Sequence, residues 1–198
     1  MLKEPLLMQC QDKPFNDDSF IKQEFIHLRD QFNIKTCIEL GTCLGVTSEW
    51  FADTYVTVKT VEINPEFLHI AKVNRLNAKK NVITYSGSSV DMLPSMLDGC
   101  NDDTMIFIDS HWGVITPAPA ELELIAAAGI KPVIAVHDFQ VPNRPDLGFD
   151  KYDVDKPFNL AWLKSGFDKI YGADKWNYYY NTNAAGAMRG IIYVTPNR

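Results

Sequence analysis

Short, β-prone apolar runs alternate with longer amphipathic stretches along this chain, and that alternation limits its fold more than any other feature. The runs Thr36–Leu40, Val58–Glu62, Val82–Tyr85, Met105–Asp109 and Val133–His137 read as strands. Strands separated by helices build a largely parallel sheet with both faces covered. The helices carry readable start and stop signals. Asn64-Pro65-Glu66 supplies an N-cap, a first-turn proline and an early acid ahead of Phe67, Ile70 and Ala71. Ser88-Ser89-Val90-Asp91 reads as a capping box opening a helix to Leu97, and Pro117–Ala128 stops at Gly129, a left-handed C′ residue. Ahead of the first strand, Ser19–Phe32 is amphipathic, with Phe20, Phe25, Ile26 and Leu28 available to pack. The tail, Lys175–Asn181 and Ala187–Thr195, reads as two strands of a hairpin. The predicted fold class is α/β: a doubly wound, mostly parallel seven-stranded sheet with a C-terminal antiparallel hairpin. One domain spans 1–198, with an N-terminal helical cap over 1–33.

Composition narrows the partners. The chain has 198 residues, enough for one substantial core, with 25 acidic against 19 basic side chains and a net charge of −6. That balance disfavours a phosphate backbone as ligand, so no nucleic acid is expected. Lys72, Arg75, Lys79 and Lys80 fall at helical spacing and read as a solvated helix face. Cys10, Cys37, Cys43 and Cys100 show no CxxC pairing, so free thiols in a reducing compartment are expected. The first residues are too short and interrupted for a signal peptide, and no apolar run reaches membrane-spanning length. The expected location is cytoplasmic, with no membrane contact; assembly as a homodimer stays open.

In a doubly wound sheet the ligand lies beyond the carboxyl ends of the strands. The loop after the first strand is Glu39-Leu-Gly-Thr-Cys-Leu-Gly-Val-Thr-Ser48. Gly41 and Gly45 let the backbone turn tightly and approach a ligand, and the next helix points its free N–H groups there. The dinucleotide pattern GxGxxG would need glycines at 41, 43 and 46, where the chain has Gly41, Cys43 and Val46. Without the middle glycine a pyrophosphate is disfavoured. Glu62 stands 21 residues beyond Gly41, the spacing at which a carboxylate takes ribose hydroxyls. Glu39 puts a second acid near the same pocket.

The segment Glu39–Ser48 resembles the first motif of class I S-adenosylmethionine (SAM)-dependent methyltransferases, closest to the catechol and sugar O-methyltransferase-like branches. Val61-Glu62-Ile63-Asn64 resembles their second motif, and Tyr85–Ser89 the segment that meets adenine. Phe107–His111 and Val136-His137-Asp138 resemble the ends of their fourth and fifth strands. The resemblance runs from Thr36 to Asp138 and implies SAM as cofactor; an acidic pocket suits its sulfonium and ammonium groups. It implies cofactor contacts from Glu39, Gly41, Thr42, Gly45 and Thr47 in the first motif. Glu62 and Ile63 follow in the second motif, then Ser88, Ser89 and Asp109.

At the reacting end, Asp109, His111, His137 and Asp138 converge on one sheet edge. Such clusters hold a cation, a proton or a substrate. Two mechanisms fit. In one, Asp109, His137 and Asp138 bind a divalent cation, Mg²⁺ or Mn²⁺, that activates an acceptor hydroxyl. Metal-dependent members of the resembled family carry acids at these strand ends, and His137 departs from that pattern toward softer ions such as Mn²⁺. In the other, His111 or His137 is a general base oriented by Asp109 or another neighbouring acid. Trp112 is a candidate pocket residue. Residues 139–155, rich in Pro, Asp and Gly and carrying Phe149 and Tyr152, are a candidate substrate lid. Base-methylating enzymes use a proline pair after the fourth strand, absent from Asp109-Ser-His-Trp112, and cytosine C5 enzymes need a cysteine there, whereas Cys100 precedes the strand. The expectation is O-methylation of a small hydroxylated acceptor, a sugar or phenol. The alternatives are an NAD(P)-dependent oxidoreductase and a non-catalytic SAM-binding protein.

Overall fold

The computed structural model describes residues 12–111, 116–152 and 155–197. After a 3-10 turn at Pro14–Asp17 come α1 (Ser19–Phe32), β1 (Thr36–Leu40), α2 (Val46–Thr54) and β2 (Thr57–Glu62). α3 (Pro65–Ala71) runs into a π-helical turn, Lys72–Leu76, followed by β3 (Val82–Ser86), α4 (Ser89–Leu97) and β4 (Thr104–Ile108). Next come α5 (Ala118–Ala128), β5 (Val133–Val136), a small ribbon of β6 (Lys151–Tyr152) and β7 (Lys156–Pro157), and α6 (Leu160–Tyr171). β8 (Trp176–Tyr180) and β9 (Ile192–Pro196) close the chain.

The main sheet has seven strands in the order β3-β2-β1-β4-β5-β9-β8. The first five are parallel, while β9 runs antiparallel to both β5 and β8. This is the predicted doubly wound sheet with its terminal hairpin. Strand order reverses between β1 and β4, so a crevice opens there at the carboxyl edge.

Alternation along each strand divides the core into two layers. Ile38, Leu40, Ile106, Ile108, Ile134 and Val136 face α4, α5 and α6, which contribute Leu93, Leu122 and Phe167. Cys37, Met105, Phe107, Val133 and Ala135 face the other way, onto α1 and α2 through Phe25, Leu28 and Phe51. Burial on both faces is why these strands read as continuous apolar runs.

The caps follow the sequence. Asn64 Oδ1 accepts from the N–H groups of Glu66 and Phe67, Ser88 Oγ accepts from Asp91 N–H, and Gly129 is left-handed. Several expectations need correction. In α1 the buried set is Ile21, Phe25 and Leu28, spaced i, i+4, i+7, whereas Phe20 and Ile26 lie off that stripe and are 40% and 39% exposed. β4 and β5 stop one residue early, because Asp109 and His137 already belong to the turns that leave the sheet and Asp138 is left-handed. Cys37 and Cys100 are free thiols as expected, but Cys43 is disulfide-bonded. Cys10 lies outside the described residues.

The N-terminal turn is unusual. Phe15, Asn16 and Asp17 are all left-handed, a conformation costing non-glycine residues roughly 1–2 kcal/mol each. The burial of Phe15 offsets this: its ring lies 5.1–5.6 Å from those of Phe25, Trp50, Phe51 and Phe107. Residues 185–187 hold the turn from outside, with Ala187 N–H donating to Asn16 O at 3.2 Å and Ala185 N–H to Asp18 Oδ2 at 3.0 Å. Among the described residues no helix is long and apolar enough to cross a membrane.

Candidate active site

The loop between β1 and α2 is shaped by its neighbours in the protein. Gly41 has φ +107°, and a Cβ there would stand 2.4 Å from the carbonyl oxygen of Asp109. Gly45 has φ +77°, and its Cβ would stand 2.9 Å from that of Ala71. Both glycines are required by close protein packing, one bringing the β4 end against the loop and the other seating α2 on α3. A tight turn and room for a ligand are expected from the sequence; the structure adds these contacts with Asp109 and Ala71.

Glu62 ends β2 and takes hold of that loop. Its Oε2 accepts from Cys43 N–H at 2.7 Å and its Oε1 from Asn64 N–H at 2.8 Å. Burial raises its carboxyl group, and the two amides pull the other way. Each oxygen keeps a further lone pair for a ligand hydroxyl. Glu39 behaves differently. It is buried beneath the loop, where its Oε2 accepts from Ser48 Oγ and from Thr60 Oγ1, the latter at 2.6 Å. Burial pushes its carboxyl up to about 8, so at neutral pH it is mostly protonated. Glu39 therefore anchors hydroxyls rather than adding to the pocket's negative charge.

A cavity of about 840 Å³ runs along the carboxyl edge, at the upper end of the ~300–1,000 Å³ usual for small-molecule sites. Of the predicted cofactor residues, Glu39, Gly41, Thr42, Thr47, Glu62 and Ile63 line it, as do Ser88, Ser89 and Asp109. Gly45 is not among its lining residues, because its bare Cα faces Ala71. The hydroxyl of Thr42 is tied to that of Thr60 at 2.5 Å, and Thr47 Oγ1 accepts from Phe15 N–H at 3.2 Å. Lys13 and Asn16 of the N-terminal turn also reach the cavity, which the sequence did not reveal.

At the far end of the same cavity, two carboxylates and two imidazoles form a closed ring. His111 Nε2 lies 3.3 Å from Asp138 Oδ2 and 3.7 Å from Asp109 Oδ1. His137 Nδ1 lies 3.3 Å from Asp109 Oδ1 and 3.4 Å from Asp138 Oδ2. Burial opposes charge on both rings, yet the neighbouring carboxylates win: His111 is raised and His137 is held well above the usual range. His137 in turn holds Asp138 well below the carboxylate range against its burial. His111 lines the cavity, under the rings of Phe158 and Tyr152 at 5.1 and 6.0 Å, while His137 stands behind the carboxylates.

The donor set fits a divalent cation. His137 Nδ1 is buried and makes no hydrogen bond among the described residues, although it points between two carboxylate oxygens. Donor separations of 3.3–3.4 Å are the edges of a coordination shell with ligand distances of about 2.0–2.2 Å. Asp109, His137 and Asp138 each bring one potential ligand atom within 4.8 Å of the others.

Two further members escaped the sequence. Arg189 lies in the connection between β8 and β9, because the last strand begins at Ile192 and not at 187 as expected; it pairs through Nε with Asp138 Oδ1 and through a terminal nitrogen with Asp150. Asp150 lines the cavity and also accepts from Tyr152 Oη at 2.9 Å. In the sequence Asp150 is one of several acids in residues 139–155, and Arg189 stands in no local motif. Residues 139–152 are tied down by backbone bonds, among them Phe139 N–H to Gly190 O and Gly148 N–H to Met188 O, at 2.9 and 2.8 Å. Trp112 and Asp153 lie outside the described residues.

No protein-family model and no curated protein matches the sequence. Solved structures do. The chain is similar to an O-methyltransferase from Bacillus cereus in complex with SAH, with a TM-score of 0.64 and 19% identity over 98% of this chain and 89% of that one. It is also similar to the O-methyltransferase TomG from Streptomyces achromogenes, involved in tomaymycin synthesis and solved with SAM, at a TM-score of 0.62 and 19% identity over 100% and 92% of the two chains. The chain thus shares the fold of these O-methyltransferases. The middle glycine that a dinucleotide pyrophosphate needs is Cys43 in this chain.

Proposed function

We propose that the protein is a SAM-dependent methyltransferase acting on a hydroxyl oxygen of a small acceptor. The observation that carries this reading is the single cavity joining Glu62 at one end to Asp109, His111 and Asp138 at the other. Glu62 holds the ribose, and Ser88 and Ser89 face the base. SAM supplies an activated methyl group, whose passage to oxygen breaks its carbon–sulfur bond and leaves a neutral thioether. The protein's task is to align the acceptor and take its proton. His111 Nε2 donates to Asp138, so the hydroxyl proton passes to Asp109, which also lines the cavity, and the imidazoles of His111 and His137 stabilise that group. A divalent cation held by Asp109, His137 and Asp138 would lower the acceptor's hydroxyl pKa. His137, behind the carboxylates, positions them and is no base. Acids at the cavity mouth, including Asp150, favour a neutral, hydroxyl-rich acceptor such as a sugar or phenol over a polyanion.

The test is calorimetry with SAM, S-adenosylhomocysteine and NAD⁺, followed by thioether release against a panel of sugars and phenols. Binding of SAM with acceptor-dependent turnover supports the reading. Binding of NAD⁺ but not SAM would overturn it, and SAM binding without turnover on any acceptor would leave a binding protein.

A further inference from the structure

Glu121 is a carboxylic acid with no solvent exposure (0%), set on the inner face of α5 directly behind the cavity. The reaction above does not use it. Its Oε1 accepts from Ser110 Oγ at 2.6 Å, Ser89 lies against the same carboxyl group, and Oε2 has no hydrogen-bond partner among the described residues. A buried acid is costly to keep, so one that only fills space would be readily replaced by leucine. Both serines line the cavity, Ser89 from the first turn of α4 and Ser110 from the loop after β4. Glu121 ties Ser110 to Ser89, which belongs to the segment that resembles the adenine-facing motif.

A serine hydroxyl has one proton and two lone pairs. Because Ser110 gives its proton to Glu121, it can only accept from a ligand. We propose that Glu121 is a positioning residue that fixes the polarity of Ser110, so that the pocket takes a purine presenting an amino group and rejects one presenting a carbonyl. The proposal rests on the reading that this cavity binds SAM, and it adds the source of the base preference.

The experiment compares binding of S-adenosylhomocysteine and S-inosylhomocysteine, which differ in an amino group against a carbonyl. The wild-type chain should prefer the adenosyl form. Ser110→Ala and Glu121→Leu should each lower that preference about tenfold, the worth of one hydrogen bond. Glu121→Gln keeps a carbonyl acceptor and should retain the preference. Ser110→Ala introduces no new buried polar group, so it decides the matter even if Glu121→Leu does not fold. An unchanged preference in Ser110→Ala overturns the proposal while the SAM reading stands. Failure of the wild type to bind S-adenosylhomocysteine at all defeats the SAM reading itself.

Discussion

The two ends of the cavity are built on different principles. The end proposed for the nucleoside is local: the Gly41 loop and Glu62 come from one β–α–β unit, and backbone amides hold the Glu62 carboxylate. The reacting end is assembled from the ends of β4 and β5, the loop at Asp150 and the hairpin at Arg189. Ion pairs between side chains 39 and 51 residues apart hold it together. One end is rigid because its backbone is bonded. The other depends on charge balance, so losing one partner strands the rest.

That contrast can be broken most sharply at Asp138. Asp138→Ala removes the shared partner of Arg189, His111 and His137, and should cost about 3–5 kcal/mol of stability in denaturant titrations. Turnover should fall roughly a hundredfold or more. SAM affinity, measured by calorimetry, should barely change; an equal loss of SAM binding would show that the two ends are not independent.

The next largest effect concerns the cation. Mn²⁺ at about a hundred times its dissociation constant should stabilise the wild type by about 2.7 kcal/mol, and Asp109→Asn should abolish this in a thermal-shift assay. The gain should grow with pH, because the raised imidazole of His137 must lose its proton to become a ligand. No shift with Mn²⁺ or Mg²⁺ would leave the ring as a proton-holding device around His111.

At the other end, Glu62→Ala should weaken SAM by about 1.5–3 kcal/mol, the scale of hydrogen bonds to a charged group, with turnover at saturating SAM little affected. A loss confined to turnover would place Glu62 away from the ribose.

The smallest effect tests Glu39. Its folded carboxyl sits at about 8 against an ordinary value of 4.5, so the folded state binds more protons than the unfolded state between those values. Its contribution is complete below about 4.5 and is lost as pH rises toward 8. Relative to Glu39→Gln, the wild type should lose about 1.4 kcal/mol from pH 6 to pH 7 in urea titrations. A flat difference would mean that Glu39 is ionised and part of the pocket's charge after all.

The order of strands and helices, the caps at Asn64, Ser88 and Gly129, and the placing of Glu62, Asp109 and Asp138 at the carboxyl edge were all legible in the sequence. These follow from periodicity and capping, which act over a few residues and leave a local trace. The sequence alone also marked Gly41, though not that the backbone of Asp109 is what demands it. Tertiary structure decided which histidine faces the cavity, that Glu39 is neutral, and that Arg189 and Asp150 join the reacting ring. It also put Glu121 behind Ser110, where an acid amid the apolar stripe of α5 was the only hint. These are matters of burial and of charge pairing between distant segments. A side chain's desolvation and its partner are set by whatever the fold packs against it, and no local pattern records that.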